Sequence, residues 1–346
     1  MAVRIALDAM GGDHAPEEVV RGGVAAARSG AVDVVLVGDE GRISAVLKGL
    51  DAKGLDLPIV HCSQVVEMDE HPGLAYRKKK DSSIVVGLNL VKSGGASAFV
   101  SAGNSGAVMA SALFVLGRLT GAERPALGTV FPTTKGQAFL LDVGANADCR
   151  PVHLLEFAIM GSVYMEKVFG LKAPRVGILS IGEEATKGNQ LVLESHGLLK
   201  ESGLNFMGNV EGKDLPKGVA DVVVTDGFTG NVAIKITEGV SEFLLGTIKE
   251  AITSRLHYKL AGLVLKPALK LAAKRLDYSE YGGAPLLGVN GVAIVAHGRS
   301  NAKAIASALR IAGQAVENGL VESIRQGLLE RKNKEEHGGQ RNGTSN

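Results

Sequence analysis

The chain of 346 residues sets 38 Lys and Arg against 36 Asp and Glu, a net charge of +2, and has 4% aromatic residues and no Trp. That balance excludes a general nucleic-acid binder and a base-stacking platform. A hydrophobic content of 45% supports one large domain or two lobes sharing a cleft, and 46 glycines point to many tight strand–helix turns.

In chain order, "VRIALDA", "VDVVLVGD", "LPIVHC", "ASAFVSAG", "PRVGILSIG", "NFMGNV" and "ADVVVTDG" read as strands. Helical patterns separate most of them, as over Pro16–Ser29, with Asp13 a candidate cap, and over Leu191–Ser202. Near-continuous apolar strands followed by helices predict an α/β/α sandwich with a largely parallel sheet. Residues 1–330 read as one domain of two lobes around a deep cleft, and the polar tail 331–346 as disordered. No charge occurs between Lys92 and Arg118, but the Gly, Ser and Asn content of that stretch suits a buried strand, loop and helix rather than a lipid span. Cys62 and Cys149 stand far apart, which argues against a disulfide framework and fits a reducing cytoplasm; no secretory signal pattern opens the chain.

In such sheets ligands bind where strands end and helices begin. The loop after the first strand, Asp8–Ala15, carries Asp8, Gly12 and His14 but lacks GxGxxG spacing, and Asp39 is the nearest acid for a nicotinamide cofactor. "SAGNSGAVMA" opens an apolar helix at Asn104 and Ser105, an anion site or an ordinary cap. "DVGANADCR" brings Asp142, Asn146, Asp148 and Arg150 to a strand end. "GEEATKGNQ" adds Lys187, expected at the same sheet edge; "TDGFTGNVAIK" adds Asp226 and Asn231, the latter again a possible cap. The eight histidines show no metal-ligand spacing and no GxSxG elbow exists, so no metal or other cofactor is expected. Anion cradles without a covalent nucleophile favour a reaction in which the bound anion attacks.

Taken together, "ALDAMGGDHAP", "SAGNSGA", "RPAL", "LLDVGAN", "FAIMGSVY", "KGN", "VVVTDGFTGN", "YGGAPLLG" and "AHG" resemble the bacterial phosphate acyltransferases of phospholipid synthesis, in order from about Val3 to about Asn318. Asn231–Lys235 also echoes the N-x-x-x-K of phosphotransacetylases. The resemblance implies the fold of phosphotransacetylases and of isocitrate and isopropylmalate dehydrogenases, usually dimeric. It implies transfer of a long acyl chain from acyl carrier protein to inorganic phosphate, the product feeding a membrane glycerol-3-phosphate acyltransferase.

On that resemblance, Lys187 pairs with phosphate or the oxyanion, Asn231 donates its amide, and Asp226 orients one of them or takes a proton. Asn104 and Ser105 cradle phosphate with Asn146 nearby. Asp8, Gly12 and His14 line the opposite wall, and His14 or His297 protonates the leaving thiol.

Two surfaces bear on partners. Arg77, Lys78, Lys79 and Lys80 form either a solvated face or a steering patch for acidic acyl carrier protein. From Arg255 to Arg275 the chain is basic. Leu256, Leu260, Leu263 and Leu271 share one stripe beside Lys259, Lys266, Lys270 and Lys274, and Pro267 is expected to divide two helices. That hairpin suits either an anionic membrane surface, hence peripheral association from the cytoplasm, or a homodimer interface. The rival readings are a short-chain acyl-CoA phosphotransacetylase and an NAD-dependent dehydrogenase of the same fold.

Overall fold

The computed structural model describes residues 3–276 and 282–342. The chain first builds a βα half: β1 (Arg4–Asp8), α1 (Glu17–Arg28), β2 (Asp33–Gly38), α2 (Glu40–Lys48), β3 (Ile59–His61), α3 (Pro72–Lys78), α4 (Ser83–Lys92), β4 (Ala98–Ser101) and α5 (Ser105–Val115). The hairpin β5 (Ala126–Thr133) and β6 (Gly136–Leu141) follows, then α6 (Pro151–Phe169), β7 (Val176–Ser180), α7 (Gln190–Glu201), β8 (Phe206–Glu211) and β9 (Val222–Val224). Last come α8 (Gly227–Thr253), α9 (Leu256–Leu276), β10 (Ala284–Leu287), β11 (Val292–Val295), α10 (Ala302–Glu317) and α11 (Leu320–Asn342).

The strands form one eleven-stranded sheet in the order β3-β2-β1-β4-β11-β10-β5-β6-β9-β7-β8. Apolar side chains on one face pack beneath α1, α6 and α10, and those on the other beneath α4 and α5. Pairing is parallel throughout except where β10 meets β11 and β5, and where β5 meets β6. The three antiparallel pairings reverse the sheet: β6, β9, β7 and β8 run opposite to β1, β2, β3, β4 and β11. The loops after β7 and β9 therefore leave from the edge opposite to those after β1, β4 and β11. This corrects the expectation of one edge for all these loops: the Lys187 loop shares its edge with those of Asp142 and Asn231, and not with those of Asp8, Asn104 and His297.

Four strands, β5, β6, β10 and β11, were not among the runs read as strands, although the strand end before Asp142, which closes β6, was recognised. The β5–β6 turn is made by Thr134 and Lys135 ahead of Gly136 at φ +128°, a weaker hairpin signal than Asn-Gly. Pro267 does not divide the basic segment. It lies inside α9, and the chain turns at Ser254–Arg255 instead. Helix α11, which buries Leu320, Ile324 and Leu328, extends to Asn342 through most of the segment expected to be a disordered tail; residues 343–346 lie outside the described part. Asp13 does not cap α1: Pro16 holds the cap position, and the Asp13 N–H donates to Gly298 O at 2.8 Å. Among the described residues, no helix is long and apolar enough to cross a membrane.

Candidate active site

Two braced loop systems face one cavity. The first is built on Asp8, buried at the end of β1. Its Oδ2 accepts from Ser101 Oγ at 2.6 Å and its Oδ1 from the Met10 N–H at 3.1 Å, while Ser101 Oγ accepts from the Gly103 N–H at 3.0 Å. Burial pushes the Asp8 carboxyl up, and the Ser101 and Ser83 hydroxyls pull it back. Asp8 thus joins the β1 and β4 loops rather than lining the cavity. Gly12 sits at φ +113°, where a Cβ would come within 3.2 Å of Ala102 Cβ and Gly298 O, so the β11 loop packs on the same brace. His14 is exposed on this turn.

Asn104 caps α5, its Oδ1 accepting from the Ala107 N–H at 3.0 Å. Its Nδ2 donates to the carbonyls of Glu67, Met68 and Glu70 at 3.0–3.2 Å. That side chain is occupied, which favours the capping reading. Ser105, one residue on, lines the cavity. Asp39 likewise caps α2, accepting from the Arg42 N–H.

The second brace is Asp142, buried after β6. Its Oδ1 accepts from the N–H groups of Leu127, Gly144 and Ala145, and its Oδ2 from the N–H and Nδ2 of Asn146. Asn146 Nδ2 also reaches Pro125 O, and Asn146 O accepts from the Gly227 N–H at 2.8 Å. Asn146 is buried in this brace and seats the start of α8. Asp226 caps α8, its carboxylate accepting from Thr229 N–H and Oγ1, both at 2.8 Å. Asn231 donates from Nδ2 to Val143 O at 2.9 Å.

Between the braces lies a cavity of about 990 Å³. Leu127, Phe131, Val143 and Val295 form an apolar wall; Ser105, Asn231, His297, Lys235 and Glu238 stand among its polar groups. His297 Nδ1 accepts from the Arg299 N–H at 3.2 Å. Of the residues singled out in the sequence, Ser105, Asn231 and His297 share this cavity. Asp8, Gly12, Asn104, Asn146 and Asp226 stand behind its walls as braces and caps. Lys187 does not line it: its stem folds back toward Gly182, and its carbonyl accepts from Asn209 Nδ2 and Ser180 Oγ. Lys235 had been noticed only as part of a motif echo. Its signal was the four-residue step from Asn231, which puts both on one helix face.

Cys62 and Cys149 are free, and burial pushes both thiols up to about 12, so neither supplies a thiolate at neutral pH. Glu183, Glu211 and Asp214 lie close enough to hold a cation, but Lys213 and Lys217 already pair with two of them.

The model of a family described as "Fatty acid synthesis protein" matches residues 3–323. A phosphate acyltransferase of Pelotomaculum thermopropionicum is 52% identical over 326 residues, 94% of this chain and 95% of that protein. One of Heliobacterium modesticaldum is 53% identical over 325 residues, 94% and 97% of the two. The chain belongs to the phosphate acyltransferase family. Its fold is that of the phosphotransacetylases: the structure from Streptococcus pyogenes superposes with a TM-score of 0.63 at 19% identity, covering 91% of this chain and 94% of that one.

Beyond the Asp142 brace, Arg150 opens α6, its N–H donating to buried His153 Nδ1 at 3.0 Å, while His153 Nε2 lies 3.3 Å from Glu123. Burial and then the Arg150 charge lower the His153 pKa, with Glu123 opposing. A lowered folded pKa means that the unfolded chain takes up the proton first as pH falls. The stabilisation is therefore complete above about 6.5 and declines as pH drops toward the folded value. Urea melts from pH 8 to 5 should show wild type losing stability below 6.5, by at most about 1.4 kcal/mol per pH unit, relative to His153→Gln. Parallel curves would remove His153 from the acid response.

Proposed function

We propose that the protein transfers a long-chain acyl group from acyl-[acyl-carrier-protein] to inorganic phosphate. A phosphate oxygen attacks the thioester carbonyl carbon. The C–O bond forms, the C–S bond breaks with its electron pair going to sulfur, and the thiolate takes a proton. Acyl phosphate then supplies a membrane glycerol-3-phosphate acyltransferase in phosphatidic acid synthesis.

The observation that carries this reading is the cavity itself. At about 990 Å³ it stands at the top of the usual ligand range of roughly 300–1,000 Å³, far more than an acetyl group fills. Its apolar wall suits a hydrocarbon chain. In this reading Asn231 donates to the developing oxyanion, Ser105 and its helix start face the phosphate, and His297 stands near the leaving sulfur. Asp226, Asn104, Asn146, Asp8 and Gly12 hold these groups in place, with His14 and Lys187 on outer loops.

A carrier protein is supported by Arg77, Lys78 and Lys80, exposed around the end of α3, while Lys79 turns inward to Glu70. Pro72 at the start of α3 packs against Gly106 of α5, so the basic patch adjoins Ser105. A homodimer is supported by the outer face of α8, where Phe228, Ile236 and Phe243 are 66%, 61% and 71% exposed. Peripheral association of a cytoplasmic protein with an anionic membrane is supported by exposed Leu256, Leu260, Leu263 and Val264 beside Lys259 and Lys266; Leu271 and Lys274 lie outside the described side chains.

The test is release of thiol from palmitoyl-acyl carrier protein with and without inorganic phosphate, with acetyl-CoA in parallel. Phosphate-dependent release from the long-chain donor, and at least about a hundredfold less with acetyl-CoA, is the expected result; one methylene is worth roughly 0.8 kcal/mol of burial. Equal or better use of acetyl-CoA would replace this reading with the short-chain one.

A further inference from the structure

Helix α8 turns a mostly polar stripe toward the cavity, with Ile234 and Leu245 the apolar members. A helix covering a protein body ordinarily turns its apolar stripe inward and its polar residues to water. Here Asn231, Lys235, Glu238, Glu242 and Leu245, spaced by four and three residues, face the cavity, whereas Phe228, Val232, Ile236, Val240 and Phe243 point away, exposed. Packing alone gives no reason to place a lysine on the inner stripe, and its chemistry does.

We propose that Lys235, one turn beyond Asn231 on the cavity face of α8, is the cation that binds orthophosphate; this rests on the reading of the cavity given above. Three observations support it. Its ammonium has no hydrogen-bond or ion-pair partner among the described residues, unlike Lys79, Lys213 and Lys217, which each meet a carboxylate. The other lysines on the cavity are placed differently: Lys303 is already engaged, and Lys270 comes from the outer helix α9. Further along the same stripe come Glu238 and then Glu242, which pairs with Arg299 at 3.2 Å. Glu238, with no ion-pair partner among the described residues, disfavours a phosphate further along the stripe than the turn of Asn231 and Lys235.

Phosphate bound there lies beside the Asn231 amide, so nucleophile and oxyanion donor come from consecutive turns of one helix. Lys235 is in this sense a substrate-binding residue, and its loss weakens phosphate capture more than use of the acyl donor.

The probe is inorganic phosphate itself. Titrated against the melting temperature of the full-length protein, phosphate stabilises wild type, and Lys235→Gln needs about tenfold more or worse for half the effect. Lys235→Arg, which keeps the charge, stays within about threefold of wild type. In turnover, Lys235→Gln raises KM for phosphate by a similar factor while KM for the acyl donor changes less than twofold. Should Lys235→Gln fail to fold, lysine labelling of wild type decides: phosphate slows modification of Lys235 and leaves Lys187 unaffected. An unchanged phosphate titration in a folded Lys235→Gln, labelling indifferent to phosphate, or a wild type that phosphate does not stabilise each overturns the proposal. Failure of the functional reading looks different: phosphate binds through Lys235, yet no acyl thioester releases thiol.

Discussion

Gly230→Ala should lower kcat/KM by about a hundredfold, because a displacement of 1 Å at a catalytic group has that effect. A Cβ on Gly230 would stand 1.9 Å from the carbonyl oxygen of Asp142. That oxygen belongs to the backbone of a braced loop and cannot rotate aside, so α8 must lift. Lifting it breaks the 2.9 Å contact of Asn231 Nδ2 with Val143 O and moves the Asn231–Lys235 turn away from the opposite wall. The stability loss is smaller, about 1–3 kcal/mol as for other overpacked positions. Gly239→Ala on the same helix is the control. Nothing lies within 4 Å of a Cβ there, and alanine favours a helix over glycine by about 1 kcal/mol. Steady-state kinetics and urea melts on both variants make the comparison; full activity in Gly230→Ala would mean that α8 takes its position elsewhere.

Asp142→Ala should instead act on stability. It strips the acceptor from the backbone N–H groups of Leu127, Gly144, Ala145 and Asn146 and from one contact of the Asn146 amide, around a buried site. Each buried donor left unpaired costs about 1–3 kcal/mol, so with partial relaxation the total is about 4 kcal/mol or more. Asp142→Asn keeps one acceptor oxygen but turns an amide toward N–H donors, and should fall between. Urea midpoints at constant slope should rank wild type, Asp142→Asn, Asp142→Ala. An Asp142→Ala protein unfolding at the wild-type midpoint would show that the brace carries no stability.

The local grammar of the chain was legible. The β1, β2 and β4 strands, the bounds of α1 and α7 to within a residue, and the opening of α5 at Asn104–Ser105 follow from apolar runs and capping chemistry that neighbours suffice to specify. The direction of the sheet was not. An apolar strand followed by a helix looks the same whichever way its sheet neighbour runs, and the reversal depends on the β5–β6 hairpin, whose turn lacks Asn-Gly, and on the β10–β11 hairpin, whose Asn290–Gly291 signal went unread. Lys187 shares its edge with the Asp142 and Asn231 loops, yet its stem folds back toward Gly182, a local turn that no strand pattern specifies. Asn104 and Asn231 each had two readings. Three backbone carbonyls claim the amide of Asn104, while Asn231 lines the cavity; no periodicity distinguishes those fates. Polarity alone gave no sign that Arg331, at the start of the tail, lies 3.4 Å from buried Glu156 of α6.

The strand order has a consequence for the making of the protein. Residues of β4 pair on one side with β1 and on the other with β11, Phe99 opposite Ala293. Roughly 190 residues must be translated after β4 before that second neighbour exists, about 10–40 s at ordinary elongation rates. Throughout that interval the nascent half-sheet carries an open, apolar edge, the kind of surface that pairs with another chain unless something covers it.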